Sequence, residues 1–133
     1  MAGAIADTHA IIWYLLDSPR LSPPALAQLE ACRTSGVRVG VTSISIVEIV
    51  YLVEKGRIPA ETLPQLQQGL EGQSSLLEIV PLTQSIALAV RQVPREQVPD
   101  LPDRVIAATA LHLNVPLISR DRKIQLSNVT TVR

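Results

Sequence analysis

Along the whole chain, short apolar stretches of strand length alternate with longer stretches of helical pattern, and few folds accommodate that order. GAIAD at 3–7 reads as a strand and leads through THAIIWYLLD into a helix that stops at Ser18-Pro19. Ser22 before Pro23 and Pro24 is a helix start, with serine as cap and proline in the first turn. That helix ends at Gly36, a favoured C-terminal stop. VRVGVT is β-branched and alternating, hence a strand. SISIVEIVYLVEKG is a strongly apolar helix closed by Lys55-Gly56, and PAETLPQLQQGLEGQ is a more polar, outer helix interrupted by Pro64. LLEIVPL is a third strand and TQSIALAVRQV another helix. The prolines of VPREQVPDLP hold that segment extended. DRVIAATALHLN is a short buried helix, PLISRD a fourth strand and NVTTV a fifth.

Strands alternating with helices predict a parallel sheet covered on both faces, a three-layer α/β fold forming one domain over residues 1–133. In such sheets ligands bind beyond the carboxyl ends of the strands, where strand order reverses. Asp7 closes the first strand and Asp121 the fourth. If those strands are neighbours, the two carboxylates converge.

Asp7 lies between a small-apolar strand and the apolar run IIWYLL, where an unpartnered carboxylate is costly to desolvate. The oddity recurs. Glu48 interrupts ISIVEIVYLV, and Asp103 precedes RVIAATALHL. Each acid has a bland reading. Asp7 is a good helix cap. Ser45 and Glu48 have the spacing of a capping box. Asp103 follows Asp100 by three residues and suits an acidic first helical turn. Asp121, between Arg120 and Arg122, resembles an ordinary turn residue. Capping does not, however, require acids from separate segments to meet at one sheet edge. Carboxylates gathered without basic partners repel one another and raise each other's pKa. A hard divalent cation removes that repulsion, and Mg²⁺ or Mn²⁺ prefers carboxylate and water oxygens. Such a site suits phosphoryl chemistry. Ser43, Ser45 and Ser119 lack a nearby base in the sequence, so direct attack by water is simpler than a covalent route.

Composition removes several alternatives. Hydrophobic content of 47% supports a sizeable core, and formal net charge is zero, unlike a strongly basic nucleic-acid binder. Cys32 is the single cysteine, which excludes an internal disulfide and a cysteine-based zinc cluster and fits a reducing cytoplasm. There is no signal-peptide pattern, and no apolar run reaches the roughly 18 to 20 residues that span a bilayer. A cytoplasmic protein without membrane association is expected. The only aromatic residues of the Phe, Trp and Tyr class are Trp13, Tyr14 and Tyr51. Broad base-stacking platforms are therefore not expected.

DTHAIIWYL, SIVEI, DLPDRVIAATA and LISRDRKI, in that order, resemble the motifs of PIN-domain ribonucleases, and most closely their toxin branch, the VapC toxins of toxin–antitoxin pairs. The resemblance runs from the first strand to the last. It implies a five-stranded parallel sheet of order 3-2-1-4-5 and Mg²⁺- or Mn²⁺-dependent endonucleolytic cleavage of RNA. By position, Asp7, Glu48 and Asp103 match the family's acidic triad, and Asp121 its fourth acid. Thr8 and Ser119 match hydroxyl positions that support the site. Asp100 matches the first acid of the D-x-x-D-R pattern, which organises the loop. Here Leu101 precedes Pro102, whereas in relatives the proline often directly follows that acid. An antitoxin partner and a homodimer are also implied.

Other residues carry two readings. His9 is a helix-surface histidine or a phosphate contact, and His112 suits the C-terminal end of its helix dipole. Trp13 and Tyr14 are packing residues or anchors in a partner groove. Arg104 and Arg122, beside site acids, are solvated charges or phosphate contacts. Cys32 is a small buried hydrophobe. Two other functions compete with ribonuclease. A Mg²⁺-dependent phosphatase or phosphotransfer domain would use Asp7 as nucleophile, but it usually carries a second aspartate at position 9, here His. A non-catalytic interaction module of the same fold would have no need of the acids.

Overall fold

A computed structural model describes residues 2–72, 75–119 and 130–133. Strand β1 spans Ala2–Ala6, β2 Arg38–Thr42, β3 Leu77–Val80, β4 Leu117–Ile118 and β5 Thr131–Val132. Helix α1 spans Thr8–Leu15, α2 Pro23–Ser35, α3 Ser43–Glu54, α4 Thr62–Leu70, α5 Gln84–Ala89 and α6 Leu101–Leu113. A 3₁₀ turn at Val90–Gln92 extends α5. All strand pairs are parallel and the order is β3-β2-β1-β4-β5, as the alternation and the resemblance led one to expect. Among the described residues no helix is long and apolar enough to cross a membrane.

Local signals place most boundaries. The Ser22 hydroxyl accepts from the Ala25 N–H, and Gly36 closes α2 at φ 73°, a conformation that costs glycine no Cβ clash. Helix α3 starts at Ser43 as the sequence reads, but without the capping box, and α6 starts two residues earlier than read. Helix α3 is capped by Thr42, whose hydroxyl accepts from the Ser45 N–H, so Ser45 and Glu48 form no capping box. Helix α6 begins at Leu101, with Asp100 as cap. Pro64 does not interrupt α4. It lies in the first turn, where no intrahelical N–H bond is lost.

Side-chain alternation divides the core between the two sheet faces. Ala4, Ala6, Val39, Val41, Leu77 and Ile118 pack with α1, α2, α4 and Ile49 of α3. Ile5 and Leu117 point the other way, onto Ala89, Ile106, Ala107 and Ala110 of α5 and α6. Ala2 joins this second face because the β1–β2 register shifts between Ala2 and Ala4. Gly40 leaves room on that same face. A Cβ there would lie 2.6 Å from Ile5 Cδ1 and 2.7 Å from Val80 Cγ2.

Candidate functional site

The chain runs from β1 outward to β2 and β3, then returns to lay β4 on the other side of β1. The switch point is therefore the carboxyl edge between β1 and β4, where Ala6 pairs with Ile118. The next residue on each strand carries a polar side chain. Asp7 is 5% exposed and Ser119 is fully buried, and the Ser119 hydroxyl donates to Asp7 Oδ2. Asp7 is also the cap of α1, its Oδ1 accepting from the Ala10 N–H at 2.8 Å. The cap reading and the site reading thus hold for one side chain. The helix N-terminus and the serine offset the desolvation of the buried carboxylate.

Helix α3 leaves the neighbouring strand β2 and carries Glu48 to the same edge. The Thr8 hydroxyl donates to Glu48 Oε1 at 2.5 Å and lies 3.0 Å from the buried Ser45 hydroxyl, which is 3.1 Å from Thr42 Oγ1. A buried hydroxyl relay therefore ties the ends of β1 and β2 together and fixes the half-buried Glu48. Burial pushes the Glu48 carboxyl above its ordinary range, and the charges of Asp100 and Asp7 add to the rise. The Thr8 hydrogen bond and His9 oppose it.

The first turn of α6 supplies the remaining described acids. Asp100 Oδ2 accepts from the Asp103 N–H at 3.2 Å, so Asp103 sits in the acidic first turn. Asp7, Glu48, Asp100 and Asp103 line one open cleft of about 630 Å³. Asp121 and Arg122 lie outside the described residues.

Among the described residues, no three His, Cys, Asp or Glu side chains stand close enough to form a finished metal site. The donor set nonetheless fits a Mg²⁺-like ion. It is all oxygen, and each carboxylate oxygen can accept more than the one bond given above. Mg²⁺ usually keeps several waters and uses only one or two carboxylates, so a wide acidic cleft suits it better than a closed cage.

Arg104 has a use that sequence reasoning did not foresee. Its Nε and Nη2 donate to the Val93 carbonyl at 3.1 and 2.9 Å, and Nη2 donates to the Val90 carbonyl at 3.0 Å. This guanidinium therefore clamps α6 to the turn after α5, sharing the Val90 carbonyl with the Val93 N–H, and is not simply a solvated charge. The described cation that lines the cleft is Arg20. No motif marks it, since it follows α1 in an irregular segment. Trp13 and His9 line the cleft as well. Tyr14, by contrast, accepts a hydrogen bond from Arg33 of α2. Cys32 is buried, which raises its thiol pKa.

Known proteins share this arrangement of chain. The PIN domain family model matches residues 4–129. Ribonuclease VapC22 of Mycobacterium tuberculosis is 29% identical over 127 residues, covering 94% of this chain and 92% of that protein. Among solved structures, a chain of VapBC2 from Rickettsia felis bound to a promoter DNA fragment superposes with a TM-score of 0.72 at 18% identity, covering 96% of each chain. A chain of DNA-bound VapBC from Salmonella typhimurium gives 0.71 at 19% identity, covering 98% of this chain and 97% of that one. At such identities the structural likeness establishes the fold.

Proposed function

Because this chain belongs to the PIN domain family, we propose that it is a divalent-metal-dependent endoribonuclease, the toxin of a toxin–antitoxin pair. One observation carries the reading. Asp7, Glu48 and Asp103 come from three elements far apart in sequence and line one cleft at the sheet's switch point. The name of the VapC22 relative and the toxin–antitoxin assemblies among the structural neighbours support the RNA substrate and the antitoxin partner. The proposal includes a homodimer, as part of the same resemblance.

Asp7, Glu48 and Asp103 would hold Mg²⁺ or Mn²⁺, with Asp121 added on its position in the sequence. When bound, the ion supplies charge neutralisation at the phosphate and favours ionisation of water. The chain's own residues do the rest. The Ala10 N–H and Ser119 fix the direction of both Asp7 oxygens. Thr8 fixes the rotamer of Glu48 and favours its ionised form. Arg20 brings positive charge to a cleft that otherwise repels a phosphodiester.

The test is cleavage of a single-stranded RNA by the purified chain with Mg²⁺, with Mn²⁺ and with EDTA. The expected result is hydrolysis that EDTA abolishes and that Asp7→Asn, Glu48→Gln and Asp103→Asn each reduce to background. Cleavage that survives EDTA, or survives all three substitutions together, refutes the reading. Trapping of an aspartyl-phosphate would instead identify the phosphotransfer alternative.

A further inference from the structure

We propose that Trp13, with His9 beside it, is a stacking site for one nucleobase of the RNA, next to the acidic cleft. The proposal rests on the ribonuclease reading and names how that site holds its substrate. His9 and Trp13 are four residues apart on α1 and so share one helix face. Their ring centroids are 5.6 Å apart with planes at 49°. Both line the cleft that contains Asp7, Glu48 and Asp103.

The environment of Trp13 suits such a role. It is half-buried and packs against the core that α1 shares with the sheet, so part of the indole is anchored while part faces the cleft. A ring held by packing loses little freedom when it binds. Helix α1 also buries Ala10, Ile11 and Ile12 against that core. The tilt between the rings rules out a parallel sandwich of a base between them. The arrangement offers one stacking face, the larger indole, with the imidazole beside it. Val98 and Pro99 give the same cleft an apolar wall, and Arg20 gives it a guanidinium.

The energetics favour a neutral contact. Formal net charge is zero and the cleft is acidic, so phosphate attraction supplies little of the affinity that basic nucleic-acid binders enjoy. Stacking on an aromatic face is independent of charge and tolerant of base identity. One well-placed ring is enough for one base, even in a chain poor in aromatics.

Trp13 is the only tryptophan, so emission excited beyond the tyrosine absorption band reports on this ring alone. The experiment titrates single-stranded RNA into the full chain carrying Glu48→Gln, with Mg²⁺, and follows emission alongside the anisotropy of end-labelled RNA. The expected result is quenching in step with binding. RNA of equal length with abasic sites around the cleavage position is expected to bind more weakly and without quenching. In cleavage assays Trp13→Leu keeps apolar bulk but removes the flat face. It is expected to raise KM roughly five- to 150-fold, the range for loss of one stacked base, while Trp13→Phe stays close to wild type. Labelled RNA that binds without changing the emission overturns the stacking site and leaves the ribonuclease reading standing. Wild-type kinetics in Trp13→Leu overturns it too, and assigns the ring to packing or to a protein partner. Failure of RNA both to bind and to be cleaved overturns the ribonuclease reading itself, and this inference with it.

Discussion

Replacing Ser119 by alanine tests whether the switch point is held by a charge-assisted hydrogen bond. The Ser119 hydroxyl is buried and donates to Asp7 Oδ2, and Asp7 is only 5% exposed. Water has little access to replace the lost donor. A hydrogen bond to a charged group contributes about 1.5–3 kcal/mol. For a domain of this size the urea dependence is roughly 2 kcal/mol per molar, so the unfolding midpoint should fall by about 1 M. The measurement belongs in metal-free buffer, because a dication would itself compensate the Asp7 charge. Asp7→Asn keeps a capping side chain at the start of α1 and removes that charge. In the double variant the two effects should fail to add, with a coupling of about 1 kcal/mol or more. A midpoint shift below roughly 0.2 M, or strict additivity, would refute the claim that this bond stabilises the buried carboxylate.

The remaining expectations concern Glu48, Arg104 and Gly40. Burial, then the Asp100 and Asp7 charges, raises the Glu48 pKa above its ordinary 4.5. The folded state thus holds this proton more tightly than the unfolded state. The associated stability is full below the ordinary value and is lost as pH rises through the higher folded one. Thermal scans without metal should therefore show Glu48→Gln gaining on wild type as pH rises above the ordinary carboxylate value, and added Mg²⁺ should narrow the gap. Equal pH profiles for the two proteins would contradict it. Arg104→Met should lower stability by about 1–3 kcal/mol, since it strips donors from the Val90 and Val93 carbonyls. KM for RNA should not change if the clamp is its whole role; a raised KM at unchanged melting temperature would assign it the phosphate contact. Gly40→Ala should cost about 1–3 kcal/mol through overpacking against Ile5 and Val80. Ile5→Val, which removes the Cδ1 atom nearest the new methyl, should recover part of that loss in thermal unfolding.

The alternation of strand-like and helix-like segments was legible because each element announces itself locally. Period-2 apolar residues, Ser22 before paired prolines, and Gly36 at a helix end all act within a few residues of chain. The same holds for Asp7, whose position between two apolar runs marks it in the sequence alone. Where local signals competed, the sequence left two readings open. Ser45-x-x-Glu48 has the spacing of a capping box, but β2 ends at Thr42 and α3 starts directly after it. That leaves Thr42 at the cap and frees Glu48 to meet Thr8.

Local residue order, then, was enough to fix the elements, their parallel arrangement and the identity of the suspicious acids, because helix caps, turns and apolar periodicity are short-range physics. Only the tertiary structure decided which side chains meet. The Thr8–Glu48 bond joins residues 40 apart and the Ser119–Asp7 bond residues 112 apart. Whether Arg104 or Arg20 reaches the cleft, and whether Trp13 faces it, depends on how helices settle on a twisted sheet. No short window of sequence encodes that packing, because its energy comes from contacts between segments that are strangers along the chain.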